Sequence, residues 1–310
     1  MVFLFFSCTL TRPDIEKAKG TTQQTTWQQR VIGTVTIFQI IILAVVQGIT
    51  EFLPISSSGH LKLVPILTDW ADQGLMMDVA MHVGTLAAVL LYFWRDTKGL
   101  ALAGLGSIGI APAKRAVAGT LYAKLFWALV IGTIPMVLVG GPILFLGLKE
   151  ALDNAEVIAT TSIFFGILLY IADKKGATEK TLERMAIKPA LIIGAAQVLA
   201  LIPGTSRAGV TMTAARYLGF TRQEAARWSM LMSIPAIIAS GAATALKAFK
   251  DATPEMWIDA AIGAGLACVA ALAAIHFLMR WLERANMTIF VIYRVLLGVM
   301  LFGLILADRI

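Results

Sequence analysis

QGITEFLPISSSGH, residues 47–60, sets a carboxylate, a proline, three serines and a histidine into surroundings that are otherwise apolar. The residues before it, 31–46, read as the start of a membrane span. The rest of the chain reads the same way. Of 310 residues 58% are hydrophobic and only 15% charged, with a mean hydropathy of +0.79, far from the mixture of a water-soluble domain. A hydrocarbon core about 30 Å thick needs roughly 20 apolar residues in a helix. Stretches at 77–94, 125–148, 157–172, 228–246, 256–279 and 287–307 meet or approach that length, and no alternating barrel pattern competes with them. The sequence therefore predicts an all-α polytopic membrane protein with about six full transmembrane helices.

The net charge of +7 does not call for nucleic acid. Basic residues in such a chain mark loops on the cytoplasmic side. They gather at Arg95, Lys98, Lys114, Arg115 and Lys124, at Lys174, Lys175, Lys180, Arg184 and Lys188, and at Arg280 and Arg284. The connections 68–78 and 149–156 carry excess acid and fall outside, as do both chain ends. Cys8 and Cys268 are too few for a disulfide framework. Residues 1–30 contain the polar run TTQQTTWQQR and lack a basic start of the signal-peptide kind, so a poorly ordered extension, or a start codon set too early, is expected there.

A second segment breaks the span pattern as the first does: apolar 187–202 runs into PGTSRAGVT, residues 203–211. On this reading Pro54 aligns with Pro203 and Ser57 with Ser206, while Gln47 and Gln197 precede their prolines at nearly the same distance. Three full spans follow each motif, and an odd number of crossings turns the second copy upside down. An inverted-topology repeat is expected, with repeat 1 over about 31–172 and repeat 2 over about 187–307, within a single domain 31–310. Pro and Gly end helices, and irregular backbone at membrane depth persists only inside protein or against water. Both motifs are thus expected to be re-entrant helical hairpins. Ser57 or Ser58 can cap the helix that starts near His60, and Thr205 or Ser206 the one running toward Leu218. Such helix starts with serine hydroxyls suit phosphate.

Gln47 and Glu51 share a helix face and could hold one metal ion or one substrate between them. A carboxylate inside a span costs about 2.5–3.5 kcal/mol on insertion scales, which favours a functional role. His60 can serve as general acid or base. His82, one turn from Asp78, is placed as a support from a neighbouring helix; His276, without polar company, receives no role. Arg207 carries the planar fork that fits phosphate oxygens. Arg294 is read as snorkelling toward headgroups. One carboxylate, hydroxyls, a histidine, an arginine and two helix starts are equipment for phosphoryl transfer. No GxxxxGK[ST] loop and no H-E-x-x-H helix is present. The S-S-G-H string is similar to an element of the type-2 phosphatidic acid phosphatases, but that family's flanking basic motif and the histidine after Ser-Arg are absent.

These two motifs resemble those of the undecaprenyl-diphosphate phosphatase family, the bacitracin-resistance proteins. The pattern [E/Q]-x-x-x-E followed by F-L-P-[IV]-S-S-[ST]-G-H matches residues 47–60, and P-G-x-S-R-x-x-x-T matches residues 203–211. The similarity runs from about residue 33 onward and includes FWRD at 93–96 and SMLMSIPA at 229–236. The resemblance implies removal of the terminal phosphate from a C55 prenyl diphosphate, a divalent cation (Mg2+ or Ca2+), and a bacterial inner membrane with the site toward the periplasmic face. It puts Glu51, Ser57, His60 and Arg207 in catalytic positions, Ser56, Ser58, Thr205, Ser206 and Thr211 around the substrate, and Gln47 with Glu51 at the metal. Position 47 is Gln where many members have Glu, so Glu51 is expected to carry most of the metal binding. Ser57 or a water it positions would attack phosphorus. A lipid flippase is the rival or additional function. The glycine-rich stretch 261–271 permits a homodimer.

Overall fold

A computed structural model describes residues 36–307, apart from 69, 71, 72, 146–151, 153, 178, 251 and 252. The described residues all belong to one compact unit, Val35–Ile310. The expectation for residues 1–30 falls outside them. Every named element is helical, in the order α1 (Ile37–Phe52), α2 (Ser57–Thr68), α3 (Gly74–Tyr92), α4 (Trp94–Ser107), α5 (Ala111–Val117), α6 (Leu121–Phe145), α7 (Ala155–Lys175), α8 (Ile187–Val198), α9 (Arg207–Tyr217), α10 (Arg222–Lys250), α11 (Pro254–Arg284) and α12 (Thr288–Leu306).

Local chemistry sets the helix starts. Thr36 and Gln39 form a reciprocal capping box at α1, Asn154 accepts from the Val157 N–H at α7, and Thr253 caps α11 ahead of Pro254. Five helices among the described residues are long and apolar enough to cross a membrane: α3, α6, α7, α11 and α12. The sixth expected span, 228–246, lies in α10, whose last turns hold side chains outside the described residues. Large apolar side chains such as Phe38, Leu138, Phe164, Leu296 and Val299 are exposed on the outer faces, as lipid contact requires. The protein is thus an all-α polytopic membrane protein. The basic connection 95–124 is largely helical, built of α4 and α5.

The broken segments become pairs of short helices. α1 ends at Phe52 and α2 starts at Ser57; α8 ends at Val198, continues as a 3-10 turn to Leu201, and α9 starts at Arg207. With 16, 12, 12 and 11 residues, none of the four reaches 30 Å at about 1.5 Å per residue. α1 packs on α2 and α8 on α9. Both turns are anchored in the same core, which takes Phe52, Leu53 and Ile55 from the first and Ala208 and Met212 from α9.

Helix pairing has an internal symmetry. α1 and α3 pack on α11, α8 and α10 pack on α6, α3 meets α10, and α7 meets α12. Exchanging α1 with α8, α3 with α10, α6 with α11 and α7 with α12 leaves this scheme unchanged. The closest approaches depend on glycine: a methyl on Gly84 would fall 2.1 Å from the Ala264 carbonyl oxygen, and one on Gly194 would fall 1.9 Å from that of Gly132. The small-residue face of 261–271, which the sequence marks only as permitting close helix packing, makes close contacts within the chain. Ala264 meets Gly84, and Ala267 and Ala271 are buried against α1 at Gly48.

Two buried carboxylates tie the basic connections to the helices. Asp173 accepts from Arg222 Nε at 2.7 Å, Arg216 Nε at 3.2 Å and the Met287 N–H at 3.1 Å. Asp96, from the FWRD stretch, accepts from Arg227 at 2.5 and 3.0 Å and from the Tyr122 hydroxyl at 3.2 Å.

Candidate active site

The residue that caps each of the two helices after the motif turns, α2 and α9, lies in an unusual conformation. Ser56 (φ 79°) and Ser206 (φ 70°) are the only non-glycine residues with positive φ among the described residues. Such a conformation costs about 1–3 kcal/mol and persists where surrounding contacts enforce it. Each serine caps its helix the same way: Ser56 Oγ accepts from the Gly59 N–H at 3.4 Å and Ser206 Oγ from the Gly209 N–H at 3.1 Å. The first helical hydrogen bonds, His60 N–H to Ser56 O and Val210 N–H to Ser206 O, match as well.

This geometry corrects the register read from sequence. Ser56, not Ser57, is the counterpart of Ser206, and the capping role expected of Ser57 or Ser58 belongs to Ser56. The physical reason is a longer second turn, in which Gly204 (φ 82°) adds one residue between the proline and the capping serine. Ser57 and Arg207 then hold equivalent first positions of α2 and α9. Both donate to one carboxylate: Ser57 Oγ to Glu51 Oε2 at 2.7 Å, and Arg207 Nη2 to Glu51 Oε1 at 3.1 Å. Glu51 and Gln47 are buried, and Gln47 Nε2 donates to Glu51 Oε2 at 3.1 Å. His82 brings its Nε2 within 3.9 Å of the same oxygen.

His60 stands apart from that cluster. Its Nδ1 lies 2.7 Å from the Ser56 carbonyl oxygen, which can only accept, so Nδ1 carries the proton and Nε2 accepts from the Tyr293 hydroxyl at 2.5 Å. The two rings stack with centroids 5.5 Å apart. Ser57 and His60 are three residues apart on α2 and so share a face. Of the other expected substrate contacts, Ser56 and Ser206 spend their hydroxyls on caps. Thr211 donates to the Arg207 carbonyl at 2.8 Å and pairs with Ser229 at 2.7 Å, so it braces Arg207 from behind. Ser58 is exposed, with Ser56 Oγ 3.4 Å away. The Thr205 hydroxyl is buried without a partner.

Sequence reasoning misplaced Arg294. It does not snorkel; it is fully buried and donates to five carbonyls. These are Ser162 at 3.1 Å, Thr161 at 3.2 Å, Pro54 at 3.5 Å, Gly204 at 3.0 Å and Thr205 at 2.9 Å. One guanidinium thereby stitches both turns to α7. The signal for it was a cation well inside an apolar run, which costs enough to demand a buried partner. Tyr293, its neighbour, carried no such signal because tyrosine is common in membrane spans.

Gly204 is wedged at this junction. A methyl there would sit 2.2 Å from Thr161 Oγ1 and 2.7 Å from the Ile158 carbonyl, and Thr161 itself donates to the Pro203 carbonyl at 2.6 Å. Gly204→Ala combines positive φ with a clash. It should lower stability by at least about 2 kcal/mol, read as an earlier thermal unfolding in detergent.

Several buried donors and acceptors in and around this region have no protein partner: Arg207 Nη1, Thr205 Oγ1, Gln47 Oε1 and both ends of the Gln197 carboxamide. Unsatisfied buried polar atoms are rare in folded proteins, and each calls for a partner such as a water, an ion or a ligand. A spare arginine N–H and a spare threonine hydroxyl fit the oxygens of a phosphate, and an orphaned amide oxygen beside a carboxylate fits a cation. No three His, Cys, Asp or Glu side chains converge among the described residues, so any cation site here needs the Gln47 amide or substrate oxygens.

Comparison with known proteins places this architecture. The profile of the family described as Bacitracin resistance protein BacA matches residues 40–300. A protein of Roseobacter denitrificans named undecaprenyl-diphosphatase is 47% identical over 266 residues, covering 86% of this chain and 97% of that protein. One of the same name from Ruegeria sp. is 48% identical over 265 residues, with the same coverage. Another from Erythrobacter litoralis is 45% identical over 286 residues, covering 85% and 97%. The match spans both motif turns, and the chain belongs to the bacitracin resistance protein BacA family.

Proposed function

We propose that this chain is a membrane-embedded phosphatase that cleaves undecaprenyl diphosphate to undecaprenyl phosphate and inorganic phosphate. The observation that carries the reading is the trio in which Ser57 and Arg207, each opening a helix, converge on Glu51 while Arg207 keeps a buried N–H unpartnered. The names of the relatives supply the substrate.

In this reading the spare Arg207 donor, Thr205 Oγ1 and the backbone N–H groups that open α2 and α9 hold the diphosphate oxygens. Ser57 Oγ attacks the terminal phosphorus, the bond to the bridging oxygen breaks and undecaprenyl phosphate leaves; a water then cleaves the phosphoserine, which releases inorganic phosphate and restores the Ser57 hydroxyl. The serine proton passes to Glu51, toward which the hydroxyl already points. His60, oriented by the Ser56 carbonyl and Tyr293, has its Nε2 lone pair available as a base for the water that completes hydrolysis. In the alternative course Ser57 orients an attacking water. Glu51 with Gln47 is where a divalent cation, Mg2+ or Ca2+, would be held. Bound there, it would neutralise charge on the diphosphate.

The helix-pairing symmetry and the twin serine caps support the inverted-repeat reading, with the site where the two copies meet. Basic residues at 95–124, 174–188 and 280–284 support a cytoplasmic placement of those connections, and the family resemblance supports a site toward the outer face of the bacterial inner membrane. There the reaction would recycle the cell-wall lipid carrier and confer bacitracin resistance.

Phosphate release from a C55 prenyl diphosphate by detergent-solubilised protein tests the assignment, because detergent removes any gradient a flippase would need. Turnover by the wild type is expected; lipid binding without turnover would favour transport. Ser57→Ala should lower kcat by at least about 10³-fold, since both courses need the hydroxyl. A rapid quench of the wild type that captures phosphoserine at 57 selects covalent attack, and its absence under burst conditions selects water.

A further inference from the structure

We infer that His82 is a direct ligand of the cation held at Glu51, taking the place left by the missing carboxylate at position 47. The inference rests on the phosphatase reading only in locating the cation at Glu51. His82 belongs to α3, outside both motifs. Its Nδ1 lies 2.7 Å from the Asp78 carbonyl oxygen. A carbonyl cannot donate, so Nδ1 carries a proton, and Nε2 is the nitrogen left to offer a lone pair to an ion. That nitrogen is 3.9 Å from Glu51 Oε2. The two atoms face each other across a gap wider than a hydrogen bond, and a cation at about 2.0–2.2 Å from each would fit between them only at a wide ligand–metal–ligand angle or after a small inward shift of the ring, sharing an Oε2 that also accepts from Ser57 and Gln47. The histidine's second nitrogen anchored on a backbone carbonyl is also the usual outer support of a metal-bound imidazole.

A third acceptor stands beside them. Gln47 sits one turn before Glu51 with its Nε2 engaged on Glu51, which leaves its Oε1 buried and without a partner. Carboxylate and imidazole, joined by the amide oxygen if the Gln47 carboxamide turns it toward the ion, would make a three-point set with a single negative charge. A nitrogen ligand changes which ions the set prefers. Imidazole suits first-row transition ions such as Mn2+ and Zn2+ better than it suits Mg2+ or Ca2+. The geometry therefore points to a site in this chain that favours the former over the calcium or magnesium expected from the family.

Mn2+ is the probe, because its binding and its ligands are read by electron paramagnetic resonance without any turnover. Purified protein in detergent should bind Mn2+ with spin-echo modulation from one directly coordinated imidazole nitrogen. His82→Gln should abolish that modulation and raise the Mn2+ dissociation constant about tenfold or more, as even outer partners of metal ligands do when lost. The modulation should persist in His60→Gln and in His276→Gln, which remove the other two imidazoles. Absence of nitrogen modulation in the wild type, or its loss in His60→Gln but not in His82→Gln, overturns the assignment even if His82→Gln proves too unstable to purify. An unchanged Mn2+ affinity in folded His82→Gln does the same. Failure of the wild type to release phosphate would count against the phosphatase reading, while the nitrogen signal would still decide on His82.

Discussion

Arg294→Met is expected to be among the most destabilising single substitutions in this chain, by about 4 kcal/mol, lowering the unfolding temperature in detergent by roughly 10 °C. The guanidinium is fully buried and its N–H groups reach carbonyls of both motif turns and of α7. A methionine of similar length fills much of the space but donates nothing. The turn carbonyls of Pro54, Gly204 and Thr205 would lose a charged donor where water is scarce, at about 1–3 kcal/mol for each one left unpaired. Arg294→Lys keeps the charge but not the planar fork and should fall between. The control is Arg280→Met: that side chain is 69% exposed, pairs with Glu283 only at 3.7 Å, and should change stability by less than about 0.5 kcal/mol. Equal effects at 294 and 280 would show that the clamp does not hold the turns. Activity should fall with stability in the Arg294 variants, because the clamp fixes the backbone from which Ser57 and Arg207 project.

Why Arg294 was misread marks the boundary of what sequence can tell. Composition and span length gave the helical membrane fold directly, since only a helix satisfies its own backbone in lipid. Glu51, Ser57 and Arg207 were legible because charge and hydroxyls in apolar runs are costly and therefore conspicuous. Arg294 is as conspicuous, yet its partners lie 89 to 240 residues away in the chain, and a cation near the end of a span fits snorkelling equally well until those partners are placed. The Ser56–Ser206 equivalence was hidden for a different reason. Aligning the prolines ignores the residue that Gly204 adds, and only the backbone angles reveal which serine turns the chain. His82 showed one local clue, Asp78 a turn away, but its approach to Glu51 is a packing fact of α3 against α1. The glycine stretch 261–271 announced close packing without saying whether the partner was another chain or this one.

Glu51 and Arg207 should separate stability from catalysis when changed together. Glu51→Gln keeps shape and acceptor oxygen but removes the charge between Ser57 and Arg207, and should reduce kcat by at least about 10³-fold. It also leaves the Arg207 guanidinium, only 15% exposed, facing a neutral amide. An uncompensated buried cation costs about 3 kcal/mol, so Glu51→Gln should unfold earlier than the wild type. Arg207→Met should be inactive to a similar degree and destabilised by the converse imbalance at Glu51. In the double variant both charges are gone. Its stability should return most of the way to the wild-type value, while its activity should remain as low as in either single variant, because residues acting as a unit are not additive in kcat. A merely structural ion pair behaves otherwise: activity would recover along with stability. Stability that fails to recover would mean that the two groups are not each other's main partner. Phosphate release and thermal unfolding on the same four proteins therefore decide whether the carboxylate that gathers Ser57 and Arg207 performs chemistry or only holds two helix starts in place.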